Sequence, residues 1–132
     1  MTQLHRWNKE VPQTVEMCVH DLIEQHIVAQ PDRSAIAAWD GDPSYREMGH
    51  LSDIFALHLA EYRVGPEDFV PLYFEKSKWT AVAMLGVMKS GAAFVLLDPS
   101  HPLERTGAIC RQLKASVLVS SFDNQSLKAC QV

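Results

Sequence analysis

One apolar segment near the middle of the chain constrains the fold more than any other. Residues 92–98, AAFVLLD, are apolar without alternation up to Asp98, which is typical of a strand buried on both faces of a parallel sheet. Residues 78–90 before it place apolar side chains on nearly every side of a helix, so we expect that helix to pack between other elements. Gly91 stands between the two and predicts a helix end in the left-handed conformation.

Other short apolar runs recur along the chain, with helical patterns between them. The predicted strands are 35–39, 69–74, 92–98 and 116–121. The predicted helices are 15–30, 44–63 and 78–90, and residues 99–104 lead into a fourth helix that ends near residue 113. Pro71 is unusual inside a central strand, but the length and aromatic content of its run still favour a strand. The order predicts an α/β fold, with a parallel, Rossmann-like sheet built from βαβ units.

Helix starts are marked by short polar motifs. Ser44 followed by Glu47 predicts a capping box, in which each side chain bonds to the backbone N–H of the other residue. Ser77 is placed to cap the helix over 78–90.

Charge and cysteine usage exclude several classes of function. The net charge is −4 and no run of Lys and Arg occurs, so we expect neither a nucleic-acid partner nor a membrane partner. Cys18, Cys110 and Cys130 are odd in number and widely spaced, which favours free thiols in a reducing compartment. No segment has the apolar core of a signal peptide or the length of a membrane span. We therefore expect a cytoplasmic chain.

The stretch GVMKSG, residues 86–91, looks at first like a phosphate-binding loop. Such a loop follows a strand and opens a helix, so that backbone amides point at the phosphates. Here the order is reversed, because the segment ends a helix and a strand follows. A helix C-terminus carries partial negative charge, which repels phosphate. The stretch is better interpreted as a helix end, with Lys89 complementing the dipole.

One cluster of polar residues follows the strand over 92–98. Asp98, His101 and Glu104 lie where parallel sheets bind ligands, beyond a strand's carboxyl end, and they are candidates for acid–base or metal chemistry. A structural interpretation is stronger, because Asp98 with Pro99 shapes a turn and Glu104 complements the first turn of a helix.

The remaining candidates are single residues or pairs. His20 and Glu24 are i, i+4 neighbours without a third ligand, and they favour a solvated pair. Cys18 is a candidate reactive thiol with His20 beside it. His50 and His58 share roughly one helix face and are expected at the surface. Two further residues are predicted to be core, namely Cys110 and Trp79. We assign no residue of the chain as catalytic, cofactor-binding or metal-binding.

The segment MKSGAAFVLLDPSHP, residues 88–102, resembles an early core box of nonribosomal peptide synthetase adenylation domains, which belong to the acyl-adenylate-forming (AMP-binding) superfamily. That box runs roughly LKAGxAYVPID, and Leu96 stands where it has Pro. Phe94 replaces its Tyr. The matching residues are Lys89, Gly91, Ala93, Val95 and Asp98.

Further segments resemble the same family in the same order. SYREM, residues 44–48, is similar to the box L-[TS]-Y-x-E-L. The other similar segments are 19–36, 65–77 and 101–121, so the resemblance covers about residues 15–121. LHRWN, residues 4–8, resembles the connector after a condensation domain. The implied organisation is a connector over 1–14, a partial adenylation N-terminal subdomain over 15–121 and a frayed tail over 122–132.

The resemblance implies a parent chemistry. The family uses ATP and Mg²⁺ to activate an amino acid as an adenylate, and then loads it on a carrier-protein thiol. Its phosphate loop, substrate-binding and ribose-binding aspartates and catalytic lysine come later in the family's sequence. We therefore expect a truncated chain that binds no cofactor and is inactive alone.

Two alternatives to an inert remnant stay open. An unfinished sheet exposes an edge and an apolar face, which favours an interaction module. Its partner is expected to be the missing remainder of an adenylation domain on a separate chain, or a second copy of this one. The third interpretation is a small standalone nucleotide or acyl binder, which the lack of a G-x-G-x-x-G motif disfavours.

Overall fold

The computed structural model describes residues 2–121. It contains five helices and three strands over that range, and none of those helices is long and apolar enough to cross a membrane. The helices are α1 Gln3–Trp7, α2 Val19–Ala29, α3 Tyr45–Glu61, α4 Lys78–Lys89 and α5 Leu103–Leu113, and the strands are β1 Phe69–Tyr73, β2 Ala93–Leu97 and β3 Val119–Ser120. The predicted α/β class is confirmed.

The sheet is parallel and has the order β2-β1-β3. β1 pairs with β2 along all five positions, from Phe69 opposite Ala93 to Tyr73 opposite Leu97. β1 is therefore central among the described strands although it contains Pro71. Its pairing with β3 begins only at Leu72, after the proline, which offers no backbone donor.

Helices cover both faces of this sheet. Because β2 and β3 lie on opposite sides of β1, right-handed crossovers put α4 and α5 on opposite faces. Val70 and Leu72 of β1 pack with Leu59 of α3 and with α4 in one core cluster. On the other face, Tyr73 packs with Leu97 and with Cys110 of α5. The alternation along β1 thus divides the core in two.

Local signals in the sequence fix two helix ends. The Ser44 N–H donates to Glu47 Oε2 at 2.8 Å, and the Glu47 N–H donates to Ser44 Oγ at 3.2 Å, so the predicted capping box is confirmed. Gly91 follows α4 with a φ of +86°, which confirms the predicted left-handed helix end.

The predicted strand over 35–39 is wrong. The segment makes only isolated antiparallel bridges, between Ser34 and Ser44 and between Ala38 and Gly41. The Ala38 N–H donates to Gly41 and the Ala35 N–H donates to Pro43. An Asp-Gly turn folds a chain back on itself, and here it closes a narrow loop whose backbone bonds are made locally instead of to the sheet.

The sequence predicts that Ser77 caps α4, but the cap comes from that loop instead. Asp40 Oδ1 accepts the Lys78 N–H at 2.9 Å, and Trp39 Nε1 donates to the Lys76 carbonyl at 2.7 Å. Ser77 makes no capping bond, and its Oγ is buried without a hydrogen-bond partner. A carboxylate at a helix N-terminus satisfies a free N–H and the dipole together.

The N-terminal segment differs in detail from its prediction. Residues 3–7 form the short helix α1, which buries no residue, and every described residue through Val19 is exposed. α2 begins at Val19 instead of near residue 15. The connector role of residues 1–14 stays a prediction, and the predicted frayed tail lies outside the described residues.

Candidate functional site

The polar cluster after β2 is a turn. The Ser100 N–H donates to Asp98 Oδ1 at 2.9 Å, and the His101 N–H donates to the Asp98 carbonyl at 3.1 Å. The backbone hydrogen bond from Ser100 lowers the pKa of Asp98, and a side-chain bond from Ser100 and the nearby His101 and Lys76 charges add to this effect. Asp98, His101 and Glu104 are all exposed. Over residues 2–121 these three side chains do not converge as metal ligands would.

A different cluster comes together at the start of α2. Donor atoms of Cys18, His20 and Asp21 lie within 4.8 Å of one another, and His20 Nε2 is 3.7 Å from Asp21 Oδ1. Sequence reasoning considered His20 with Glu24 and missed Asp21, although the Cys-x-His-Asp spacing was visible. Cys18 and Asp21 are exposed, and the positive end of a helix dipole disfavours a cation there.

Lys89, in the stretch that resembles a phosphate loop, has two carboxylate partners. Its Nζ lies 2.6 Å from Asp53 Oδ1 on α3 and 3.2 Å from Glu24 Oε2 on α2. The lysine side chain is only 13% exposed, and a nearly buried ammonium needs such partners. Lys89 therefore joins three helices, and its charge is not presented to a phosphate.

The histidines of α3 are at the surface, as predicted, but they face different cavities. His50 lines a cavity of about 360 Å³ with Lys78 and Trp79. His58 contacts Glu61 at 3.3 Å and lines a second, apolar cavity. The two side chains do not form one site.

Of the two residues predicted to be core, one is buried. Cys110 is 3% exposed and packs in the cluster of Tyr73 and Leu97, which confirms its interpretation as a small hydrophobe. The prediction is wrong for Trp79, which is 45% exposed. Its ring lies 5.3 Å from Lys78 Nζ and lines both cavities, because the first turn of α4 is left uncovered by the described residues.

The second cavity is lined mainly by apolar side chains, and we call it the open groove. Its volume is about 480 Å³. It runs between α3 and α4 to the ends of β1 and β3. Its lining residues are Leu51, Ile54, Phe55 and His58 of α3, Trp79, Val82 and Ala83 of α4, and Phe74, Ser120 and Ser121 of the sheet. This lining carries no carboxylate and no lysine or arginine, so the groove suits apolar contact better than acid–base chemistry.

The groove lies at the switch point of the sheet. The chain passes from β1 to β2 on one side and returns to β3 on the other, and the crevice where strand order reverses is the usual binding position of open α/β sheets. Phe74 follows β1 directly, and Ser121 follows β3. The sequence did not predict any residue of this crevice. The crevice exists because β3 pairs with β1, and the sequence pattern does not show which strands are neighbours.

Comparison with known proteins identifies the family. The family model for AMP-binding enzymes matches residues 23–132. The chain is 55% identical over 124 residues to the nonribosomal peptide synthetase dtxS1 of Metarhizium robertsii, and 50% identical over 126 residues to D-lysergyl-peptide-synthetase subunit 2 of Epichloe festucae var. lolii. These matches cover 94% and 96% of this chain, but only 2% and 9% of the relatives' own lengths.

Solved structures agree with the sequence matches. The N-terminal subdomain of Klebsiella oxytoca NpsA, in complex with 3-hydroxybenzoyl-AMSN, superposes with a TM-score of 0.73 at 25% identity, over 80% of this chain and 27% of that one. A fused adenylation–PCP di-domain containing NpsA gives a TM-score of 0.74 at 26% identity, over 80% of this chain and 20% of that one. The chain belongs to the AMP-binding enzyme family, and it corresponds to part of the N-terminal subdomain of a nonribosomal peptide synthetase adenylation domain.

Proposed function

We propose that this chain supplies part of the scaffold of an amino-acid-activating adenylation domain, and none of its reacting groups. The polar residues of its family box support this proposal, because they are engaged in structural contacts. Lys89 is held by Asp53 and Glu24, Ser90 Oγ donates to the Val87 carbonyl at 2.6 Å, and Asp98 shapes its own turn. Alone, the chain does not form an aminoacyl adenylate.

ATP and Mg²⁺ are the nucleotide and the metal that the family implies for a complete domain. Mg²⁺ prefers several oxygen ligands in octahedral geometry. Asp98 offers one exposed carboxylate, one oxygen of which already accepts the Ser100 N–H. The cluster of Cys18, His20 and Asp21 offers one sulfur, one nitrogen and one carboxylate oxygen, and the sulfur and nitrogen suit softer metals. The described residues do not fit Mg²⁺, so no step of the reaction is assigned to them.

Calorimetry of the purified chain with ATP and Mg²⁺ tests this proposal. We expect no heat of binding, and light scattering at the same concentrations reports the assembly state. Stoichiometric binding by a monomer would contradict the proposal and would favour the standalone nucleotide binder.

A second measurement tests the scaffold role directly. The chain is fused to the sequence that follows the matched region in the Metarhizium robertsii relative, which is 55% identical over 124 residues. We expect amino-acid-dependent exchange of pyrophosphate into ATP from the fusion and none from the chain alone. Since the amino acid is unknown, all twenty are supplied as a mixture. A fusion that folds without showing exchange would count against the proposal.

The open groove favours a second candidate function, in which the chain is one half of a split adenylation domain. An apolar cavity of about 480 Å³ on the surface is a feature that partners cover. In that case the remainder, supplied as a separate chain, restores pyrophosphate exchange without any covalent fusion. Restoration by fusion but not by mixing would leave only the scaffold role.

A further inference from the structure

Three side chains with metal-binding atoms meet at the start of α2, in a cluster that the proposed scaffold role does not use. The thiol of Cys18, the imidazole of His20 and the carboxylate of Asp21 each bring one donor atom, and these atoms lie within 4.8 Å of one another. Thiolate, imidazole and carboxylate are the side-chain groups that bind Zn²⁺ in proteins. None of the three residues lines the open groove.

The helix cap brings the three donors together. Cys18 is the N-cap residue of α2, with φ −67° and ψ 146°, and its carbonyl accepts the N–H groups of Asp21 and Leu22 at 3.1 and 3.2 Å. An N-cap side chain reaches over the second and third residues of the helix, which here are His20 and Asp21. The Cys18 side chain makes no capping bond, because sulfur is a weak hydrogen-bond acceptor. The helix end therefore does not engage the sulfur that a metal ion would use.

The spacing of the donors suits a shared ion better than a hydrogen bond. His20 Nε2 lies 3.7 Å from Asp21 Oδ1, which is beyond hydrogen-bonding distance. Two nitrogen or oxygen ligands of one tetrahedral Zn²⁺, each at about 2.0–2.1 Å from the ion, are about 3.3 Å apart. The side chains of His20 and Asp21 are 28% and 57% exposed, and Cys18 is exposed. An ion can therefore enter from solvent, and the side chains can close by the remaining distance.

The charge of the cluster is compatible with a cation although it lies at a helix N-terminus. The positive end of a helix dipole opposes a cation, but it is equivalent to only about half an elementary charge. Zn²⁺ displaces the thiol proton when it binds, so Cys18 and Asp21 together bring two negative charges. α2 contains no lysine or arginine that would compete with the ion for them.

We propose that Cys18, His20 and Asp21 form a site for Zn²⁺ at the N-terminus of α2. Three protein ligands leave the fourth tetrahedral position to water. A bound ion joins the N-cap to the first helical turn, and thereby fixes the point at which the exposed N-terminal segment joins the fold. The site is independent of the proposed scaffold role, and its test does not require an active domain.

Titration of the 132-residue chain with Co²⁺, in a phosphine reductant that keeps thiols reduced, tests the site. Co²⁺ takes the place of Zn²⁺, and its absorption spectrum reports its ligands. We expect one Co²⁺ per chain, with a thiolate-to-cobalt charge-transfer band and the intense d–d bands of tetrahedral geometry, and both should disappear when Zn²⁺ is added. Cys18→Ser should remove the charge-transfer band. His20→Gln and Asp21→Asn should each weaken binding by at least roughly tenfold, since the loss of even an outer partner of a ligand costs about 10–100-fold in affinity.

Two matched variants serve as controls. Cys130→Ser removes a thiol outside the described residues, and His26→Gln removes an imidazole from the last turn of the same helix. Both should bind Co²⁺ like the parent. Zn²⁺ should raise the melting temperature of the parent and of both controls but not that of Cys18→Ser, since a ligand stabilises the folded state that binds it. Circular dichroism verifies that each variant is folded.

Three results would overturn the proposal. A parent spectrum without the charge-transfer band, or a band that Cys18→Ser leaves unchanged, would exclude Cys18 as a ligand. Loss of the band in Cys130→Ser would assign the metal to that thiol instead. Undiminished affinity in both His20→Gln and Asp21→Asn would show a surface thiol that binds metal without the other two ligands.

Discussion

Helices α3 and α4 pack closely along one side of their interface, and they leave a groove on the other side. On the closed side, which we call the seam, Gly86 of α4 lies so near α3 that an added Cβ would be 3.1 Å from the Ser52 carbonyl oxygen. Lys89 is bonded there to carboxylates of α2 and α3. On the open side, Ile54 and Trp79 remain about half exposed around the groove.

The difference separates the part of α3 and α4 that the described residues cover from the part that they leave exposed. The seam has a buried core cluster that includes Met48 of α3 and Leu85 of α4. Its contacts come from α2, α3 and α4, all of which lie within the described chain. The open groove has the same kind of apolar side chains, and no other described residue covers them. Variants on the two sides should therefore differ in their effect on the chain by itself.

Truncation of a seam residue should give the largest effect. Leu85 is 2% exposed, so Leu85→Ala should lower the free energy of unfolding by about 2–5 kcal/mol through lost burial and a residual cavity. Ile54→Ala in the groove removes a similar volume from a partly exposed site and should cost about 1 kcal/mol or less. Urea denaturation of the 132-residue chain measures both. Equal losses would show that the groove is already covered in the chain alone.

A steric test of the seam comes next. In Gly86→Ala the new methyl group would be 2.5 Å from Phe55 Cδ1 and 3.1 Å from the Ser52 carbonyl oxygen, so the Phe55 ring or the backbone of α3 must shift. We expect a loss of about 1–3 kcal/mol, larger than the gain in helix propensity of about 1 kcal/mol.

Gly49→Ala is the control for that test. Its nearest contact is the flexible end of Ile27, 3.0 Å away, which can shift. The control should stay within about 1 kcal/mol of the parent. If Gly86→Ala is as stable as the control, close approach of α3 and α4 does not define the seam.

Features decided within a few residues were predictable from the sequence, whereas features decided by tertiary contacts were not. The Ser44–Glu47 box and Gly91 depend only on local geometry, and both are as predicted. β1 and β2 followed from unbroken apolar runs. The cap of α4 comes from Asp40, 38 residues away in the chain, and no local pattern indicates such a partner.

The incorrect predictions likewise concern features that depend on which residues surround a segment. Residues 35–39 are apolar enough for a strand, but the Asp-Gly turn after them closes a local loop. Trp79 lies in an apolar helix and is nevertheless 45% exposed, because the apolar pattern of a helix does not tell which neighbours are present. For the same reason the open groove, formed by residues of α3, α4 and the sheet, was not predicted.

An electrostatic test of the seam should give a smaller effect. Lys89→Met keeps the length of the side chain but removes the charge that faces Asp53 and Glu24. Both carboxylates are at least half exposed and stay solvated, so we expect a loss of about 1 kcal/mol that shrinks as salt is added. Arg46→Met breaks the exposed pair with Asp32 and should cost less. A loss that salt leaves unchanged would indicate packing instead of charge.

The smallest effect is expected at Asp98, which is fully exposed and lies outside both the seam and the groove. Hydrogen bonds from Ser100 lower its pKa from the ordinary value of 3.8. A carboxylate with a lowered pKa stabilises the fold above its unfolded pKa, and this contribution is lost as the pH falls through the folded pKa.

In Asp98→Asn the side-chain oxygen can still accept the Ser100 N–H, while the charge is removed. The melting temperature of the variant should therefore be slightly lower than that of the parent at neutral pH. The difference should shrink as the pH falls below 3.8 and disappear once the pH is below the lowered pKa of the folded state. A difference that is constant across pH would contradict the role of this charge.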